Sequence, residues 1–199
     1  MRVMLATPAY GGFKGCYNVG LMGSQGVFNA WLPGHGQADI YVIRNSLLNV
    51  FWNQPEFDVF LFVDSDIGFT RENLQDLIES PEHFVSGLYP TKGTNPEWLF
   101  KEIGGGKPPM DLPTEGLREV QWCPTGFLKV HRDVLEAVDA SGQVASYGRG
   151  KCRQWINGVI YDDHLLSEDY SFAEVVRRAG IKQYVHCGIS LEHDGTRLR

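Results

Sequence analysis

The chain has 199 residues, of which 43% are hydrophobic and 21% are charged, and its formal net charge is −6. This size and composition indicate one soluble globular domain, residues 1–199, with a core of its own. The acidic balance argues against a nucleic-acid partner, because nucleic-acid binders usually carry a basic face. No apolar run reaches the ~20 residues that a membrane span needs. The four cysteines form no C-x-x-C pair, so we expect reduced thiols and a cytoplasmic location.

Apolar strands alternate with helices over the first ninety residues. The pattern predicts strands at 2–7, 39–43, 57–63 and 83–89, and helices at 44–53 and 71–80. Residues 16–31 are Gly-rich and carry only a weak helical pattern. The strand-like runs lack polar alternation, which is typical of parallel strands that are covered on both faces. The repeated order of strand and helix predicts an α/β fold, with a mostly parallel central sheet flanked by helices.

The second half of the chain is less regular. The pattern predicts a strand at 117–123, helices at 131–140 and 167–180, and a final strand and loop at 182–195. Residues 104–116 are Gly- and Pro-rich and predict a loop. This loop is not a phosphate-binding P-loop, because Lys107 is followed by Pro108 and not by Ser or Thr. No repeat or linker divides the chain, which again favours a single domain.

Two aspartates, Asp64 and Asp66, follow the apolar run 57–63 directly. In an open α/β sheet, ligands bind outside the carboxyl ends of the strands. Two carboxylates that lie so close are costly unless a cation neutralises them. Oxygen ligands suit Mg²⁺ or Mn²⁺, which usually complete their shell with substrate phosphates. The pair therefore predicts a metal–phosphate site, and a turn with two solvated aspartates is the alternative.

A second acidic pair, Glu168 and Asp169, opens the helix at 167–180. A carboxylate there can act as a general base toward an acceptor hydroxyl. The alternative is structural, because acidic groups in a first turn interact favourably with the helix dipole and Ser167 is an ordinary N-cap.

Further binding candidates lie near the predicted strand ends. Thr7, Pro8 and Tyr10 leave the first strand, and Tyr10 can stack on a nucleotide base. Arg44 follows the run at 39–43 and suits a phosphate group. The glycine in 125–127 allows a close backbone approach. The alternatives are a turn with a surface tyrosine for Thr7, Pro8 and Tyr10, an ion pair at a helix start for Arg44, and an ordinary turn for 125–127.

Five stretches resemble, in the right order, small virus- and phage-encoded glycosyltransferases of the GT-A fold, of a family-2-like, metal-dependent type with a D-x-D motif. They are ATPAY (6–10), FDVFLFVDSDIGFTRENLQDLI (57–78), HFVSGLYPTK (83–92), CPTGFLKVHRDVLEAV (123–138) and LSEDYSFAEVVRRAGIKQYVHCGISLEHDG (166–195). Residues 11–38 and 93–116 do not match. The resemblance implies a nucleotide-binding half of about 1–92 and an acceptor or catalytic half of about 93–199.

The resemblance also implies an activity and roles for the residues. The chain would move a sugar from a nucleotide-diphosphate sugar, UDP-linked before GDP-linked, to a hydroxyl of a glycan or glycoprotein, with inversion. Asp64, Asp66 and His193 would hold Mn²⁺ or Mg²⁺, and Asp169 would be the base beside Glu168. The donor contacts would come from Thr7, Pro8, Tyr10, Arg44, Asp64, Ser65 and Arg197. For a virus-encoded protein, the location would be the host cytoplasm.

Three other functions stay open on the sequence. A retaining glycosyltransferase would not require Asp169 as base. A nucleotidyltransferase that makes nucleotide sugars would also use a strand-end aspartate and Mg²⁺, although the glycines after the first strand lack its usual spacing. A non-catalytic sugar-binding module would need neither acidic pair. His193 has its own alternative, a surface histidine near a frayed terminus. The sequence leaves the oligomeric state open.

Overall fold

A seven-stranded sheet runs through the centre of the protein, and the computed structural model describes residues 1–198. The sheet strands are β1 (Val3–Ala9), β2 (Ala30–His35), β3 (Val59–Val63), β5 (Phe84–Leu88), β6 (Leu117–Val120), β7 (Phe127–His131) and β12 (Gln183–Ser190). The two-residue strands are β4 (Ile67–Gly68), β8 (Ser146–Tyr147), β9 (Cys152–Arg153), β10 (Ile160–Tyr161), β11 (His164–Leu165) and β13 (Glu192–His193). The helices are α1 (Gly15–Gly23), α2 (Ile40–Trp52), α3 (Arg71–Glu79), α4 (Arg132–Ala140) and α5 (Glu168–Arg178). Across residues 1–198, none of these helices has the length and apolarity to cross a bilayer.

The sheet is mostly parallel, as the sequence predicts. Its strand order is β2-β1-β3-β7-β5-β12-β6. Strands β2, β1, β3, β5 and β12 run in one direction, while β7 and β6 run against their neighbours. In this order β7, from the second half of the chain, lies between β3 and β5 of the first half. The first and second halves therefore share one sheet.

Helices cover both faces of the sheet, and the alternation of side chains along β3 shows why. Phe60 and Phe62 point to the core that also holds the apolar faces of α2, α4 and α5. Val59, Leu61 and Val63 point to the core shared with α1 and α3. Successive residues of a strand face opposite sides of the sheet. A continuous apolar run is therefore what a central strand between two helical layers requires.

The predicted strand at 39–43 is wrong, because this stretch begins α2. The Asp39 side chain accepts hydrogen bonds from the backbone N–H groups of Tyr41 and Val42, which caps the helix. The edge strand that pairs with β1 on the side away from β3 is β2, which includes Pro33 and Gly34. These two residues conceal it in the sequence, but an edge strand tolerates a proline because one side of its backbone needs no partner.

Strand β7 is also missing from the sequence prediction, which places only a turn and a helix in its region. Lys129, in the middle of β7, interrupts the apolar pattern although it is only 3% exposed. Its ammonium group donates hydrogen bonds to the carbonyl oxygens of Ile78 and Ser80 at the end of α3. Burial lowers the pKa of Lys129 to about 8. A lysine can thus occupy a central strand when carbonyl oxygens at a helix end accept hydrogen bonds from its ammonium group.

The tight packing around Gly87 in β5 gives a stability prediction. A Cβ atom at this position would lie 2.8 Å from Ile189 Cγ2 and 2.9 Å from Phe127 Cδ1, both in the core. We expect Gly87→Ala to lower the free energy of unfolding by about 1–3 kcal/mol through overpacking. The control is Gly23→Ala at the end of α1, where no atom lies within 4 Å of the added Cβ. Urea unfolding of both variants checks this; a Gly87→Ala variant as stable as the control would contradict it.

Candidate active site

The sheet topology brings several polar segments to one edge. Strand β3 ends at this edge and β7 begins there, and Val63 pairs with Phe127 in the ladder. The backbone N–H of Asp64 then donates to the carbonyl oxygen of Gly126 at 2.8 Å. The parallel strands β1, β5 and β12 end at the same edge. Residues that follow these strands therefore meet although they are far apart in sequence.

Arg44 of α2 is the buried cation of this edge and is 2% exposed. Its Nη2 lies 2.9 Å from Asp64 Oδ2 and 3.6 Å from Asp169 Oδ1. The guanidinium also lies over the Phe62 ring, 5.0 Å from the centroid. Its Nε and Nη1 have no hydrogen-bond partner within residues 1–198. Arg44 thus joins the D-x-D segment to the start of α5 and keeps two donors unused.

Asp169 is held from a second side by Thr125. The Thr125 hydroxyl donates to Asp169 Oδ1, the same oxygen that faces Arg44, so the Oδ2 atom takes neither contact. Burial raises the pKa of Asp169 above its ordinary range, and Arg44 opposes this while Glu168 adds to it. Burial likewise raises the pKa of Asp64, against the effect of Arg44. Both carboxyls are therefore stronger proton acceptors than solvated aspartates.

Gly126 allows the close packing behind these carboxylates. Its backbone N–H donates to the Tyr89 hydroxyl oxygen at 2.6 Å. A Cβ atom on this residue would lie 2.5 Å from that oxygen and 3.1 Å from Asp64 Oδ2. Burial raises the pKa of Tyr89 well above its usual value, so the phenol stays protonated. The small residue that the sequence singles out as a point of close approach is thus the contact between β7 and the acidic centre.

The second aspartate, Asp66, lies beside His193. Strand β13 pairs with β4, and the Asp194 N–H donates to the Asp66 carbonyl oxygen at 2.9 Å. His193 Nδ1 lies 2.7 Å from the Pro90 carbonyl oxygen, which can only accept, so Nδ1 carries a proton. His193 Nε2 lies 3.7 Å from Asp66 Oδ1. A neutral imidazole in this tautomer presents a lone pair toward Asp66.

The chemistry of these groups fits a divalent cation, but the ligand atoms of Asp64, Asp66 and His193 do not all lie within 4.8 Å of one another in this structure. Asp64 Oδ1 is buried and has no hydrogen-bond partner among residues 1–198. Together with Asp66 and the Nε2 of His193 it offers oxygen and imidazole ligands, which suit a Mn²⁺-like ion. Lys92 already places a cation here, because its Nζ lies 2.5 Å from Asp66 Oδ2. A metal ion would replace Lys92 on Asp66.

The three predicted donor contacts near the end of β1 differ in burial and in hydrogen-bond partners. The Thr7 hydroxyl is buried and lies 2.5 Å from Tyr17 Oη and 3.2 Å from Trp31 Nε1. Pro8 lies within β1 opposite β2. Tyr10 follows β1 and is 77% exposed.

The remaining predicted contacts lie on the D-x-D turn, α5 and the C-terminal tail. The backbone carbonyl of Ser65 accepts a hydrogen bond from the Lys14 N–H at 2.8 Å. Glu168 is half-buried next to Asp169. Arg197 Nη2 lies 3.7 Å from Glu192 Oε2 and is largely exposed. The tail after His193 ends with Arg199, which lies outside the described residues.

Sequence reasoning assigned no role to several residues that the fold places at this edge. Lys92 was not selected, since a lone lysine after a strand carries no signal until Asp66 is located beside it. From the sequence, Thr125 is predicted only to be part of the turn at 125–127. Phe13 stacks on Tyr17 with centroids 5.3 Å apart and lies 5.7 Å from the Trp31 ring. This aromatic cluster depends on β2, which the sequence did not reveal.

No protein-family model matches this chain, and no curated protein does. Among solved structures, A197 from STIV is similar, with a TM-score of 0.59 and 15% identity over 97% of this chain and 85% of that chain. A glycosyltransferase involved in the glycosylation of the major capsid of PBCV-1 aligns with a TM-score of 0.39 and 14% identity, over 94% of each chain. The first likeness shows a shared fold, and the second carries no functional argument at this TM-score.

The Arg44 bridge gives a prediction that needs no ligand. Arg44→Met would leave Asp64 and Asp169, whose side chains are 26% and 24% exposed, without their buried cation, so we expect a loss of about 3 kcal/mol of stability at pH 7. The control is Arg118→Met, which breaks the half-exposed pair with Glu102 and should cost about 1 kcal/mol or less. Urea unfolding measures both variants.

The same variant should respond to pH with a definite sign. The folded-state pKa values of Asp64 and Asp169 are raised, so the folded protein binds more protons than the unfolded chain from about pH 4 upward, until these carboxyls ionise. Because Arg44 lowers the pKa values of both carboxyls, its removal raises these pKa values further. The difference in free energy of unfolding between the parent and Arg44→Met should therefore shrink as the pH is lowered from 7 toward 5. A difference that is constant with pH would contradict the bridge.

Proposed function

We propose that the protein is a metal-dependent glycosyltransferase of the GT-A type, which moves a sugar from a nucleotide-diphosphate sugar to an acceptor hydroxyl with inversion. The observation that carries the proposal is that buried Arg44 pairs with both Asp64 and Asp169, while Asp66, two residues after Asp64, lies beside His193. Transfer needs a charge-neutralising site for the departing diphosphate and a base for the acceptor. These residues would offer both at one edge of the sheet.

The D-x-D segment would bind the metal ion and the diphosphate of the donor. Asp64, Asp66 and His193 would hold Mn²⁺ or Mg²⁺, which supplies Lewis-acid neutralisation of the departing diphosphate. The Nδ1–H···O contact with Pro90 fixes the His193 ring for this task. Lys92, released from Asp66, has a long half-exposed side chain that can pair with a phosphate oxygen. UDP is the favoured nucleotide because of the sequence resemblance, with GDP second.

Asp169 would act as the general base toward the acceptor hydroxyl. Thr125 and Arg44 both approach its Oδ1 and orient the carboxyl, and Oδ2 would take the acceptor proton. Its raised pKa brings it closer to neutral pH than a solvated aspartate, which favours general-base catalysis. Glu168 is placed beside it to bind the acceptor or the donor. The acceptor class that we propose is a hydroxyl of a glycan or glycoprotein.

A base that acts directly on the acceptor hydroxyl is the feature of an inverting enzyme. A retaining enzyme would dispense with Asp169 as base. The anomeric configuration of the product, observed by NMR, distinguishes the two, and we expect it to be opposite to that of the donor.

Binding of a nucleoside diphosphate should depend on the metal site. We expect UDP to bind more tightly with Mn²⁺ than with a chelator, and His193→Ala or Asp66→Asn to remove this difference. The matched control is His164→Ala, which changes an exposed histidine on β11. Calorimetric titration measures the affinities. An equal gain from Mn²⁺ in the parent and in both site variants would contradict the assigned ligands.

Asp169→Asn should separate binding from chemistry. Asparagine keeps the shape of the side chain and its contact with Thr125 but cannot take a proton. We expect UDP affinity to stay within a few-fold, while turnover falls by about 10²–10⁴-fold. Release of UDP from a UDP-sugar, with water as acceptor, provides an assay before the natural acceptor is known.

The matched control for Asp169→Asn is Asp163→Asn in the exposed turn between β10 and β11. This variant should keep its turnover. Near-normal turnover of Asp169→Asn would point instead to a retaining mechanism or to Glu168 as the base.

A further inference from the structure

Two histidines and an aspartate form a cluster at the opposite edge of the sheet. His83 directly precedes β5, His131 ends β7, and Asp133 lies in the first turn of α4. His131 pairs with Val59 at the start of β3, whereas Asp64 follows the end of that five-residue strand. The cluster is therefore about 17 Å from the candidate active site along the strand. The proposed transferase chemistry does not use it.

The backbone holds the two histidines next to each other. The His131 N–H donates to the His83 carbonyl oxygen at 2.9 Å, at the end of the β5–β7 ladder. The two imidazole rings are stacked, with centroids 4.4 Å apart and an interplanar angle of 24°. Their positions are thus set by sheet pairing and not by flexible loops.

Asp133 faces both rings. Its Oδ2 lies 2.6 Å from His83 Nδ1, and its Oδ1 lies 2.9 Å from His131 Nδ1. Within residues 1–198, this is the one group of three histidine, cysteine or acidic side chains whose ligand atoms all lie within 4.8 Å of one another. Two imidazoles and a carboxylate therefore place their ligand atoms within reach of one ion.

The surroundings leave this cluster open to an ion from solvent. The His83 and Asp133 side chains are about half exposed, at 51% and 47%. The neighbouring cation, Arg132, is turned away, because its guanidinium donates to the carbonyl oxygens of Phe51, Gln54 and Phe57. The positive end of α4 opposes a bound cation, and the Asp133 carboxylate offsets this.

We infer that His83, His131 and Asp133 form a binding site for a zinc-class transition-metal ion. Imidazole nitrogen with one carboxylate oxygen is a donor set that suits Zn²⁺, and three protein ligands leave a fourth position for water. Tetrahedral ligands at zinc distances are about 3.4 Å apart. The two nitrogen–oxygen distances of 2.6 and 2.9 Å need to open by less than an ångström. A bound ion would tie the start of β5 and the end of β7 to α4.

Cobalt(II) substitution tests the site, because its visible absorption reports four-coordinate binding and the nature of the ligands. We expect Co²⁺ to give such a spectrum with the full chain, and Zn²⁺ to displace it. His83→Gln, His131→Gln and Asp133→Asn should each weaken Zn²⁺ binding by about tenfold or more. His164→Gln, on the exposed β11, is the matched control and should bind like the parent.

The variants Asp66→Asn and His193→Ala separate this site from the candidate active site. They should keep the cobalt spectrum and the Zn²⁺ affinity, whatever their effect on UDP binding. A spectrum that disappears in these variants but survives in His83→Gln would overturn the inference. So would Zn²⁺ affinity that is unchanged in all three cluster variants, with circular dichroism showing that they are folded.

Discussion

The buried ion-pair bridge centred on Arg44 is the interaction on which the candidate site depends. Two carboxylates, Asp64 and Asp169, lie in a region where burial raises their pKa values, and the guanidinium between them opposes that rise. Removing the cation from such an arrangement is costly, since it leaves buried charges without compensation. The planar guanidinium can address two acids from separate segments, which the point charge of a lysine cannot do as well. The bridge thus holds the segment after β3 next to the first turn of α5.

The sheet topology supplies the rest of the geometry. The antiparallel strand β7, inserted between β3 and β5, places Thr125 and Gly126 directly beside Asp64. The short β4–β13 pair then folds the segment after β12 back onto the D-x-D turn, so that His193 meets Asp66. Asp64 and Asp66 follow β3, Asp169 lies in the first turn of α5, and Arg44 lies within α2, so core elements position each of these side chains. This is the general position of ligand sites in open α/β sheets.

The sequence predicted the parts of this arrangement that have a local signal. The apolar run of β3, the capped helix α3 and the first turn of α5 were recognisable, and with them Asp64, Asp66 and Asp169. Strand β2 was hidden by Pro33 and Gly34, and β7 by the buried Lys129, whose partners lie on α3. Arg44 is a predicted phosphate contact because it follows the predicted strand at 39–43, but this stretch belongs to α2. Lys92 and the partnership of Thr125 with Asp169 exist only once the strands are ordered, so no local pattern could reveal them.

A crystal structure of the protein with Mn²⁺ and UDP tests the central claim most directly. The account predicts anomalous manganese density within coordination distance of Asp64 Oδ1, Asp66 and His193 Nε2, with the diphosphate on the same ion and Lys92 moved off Asp66. It also predicts that Asp169 faces the open space where an acceptor hydroxyl would enter. Manganese bound elsewhere, or a diphosphate that does not approach the D-x-D segment, would contradict the assignment of this edge as a glycosyltransferase site.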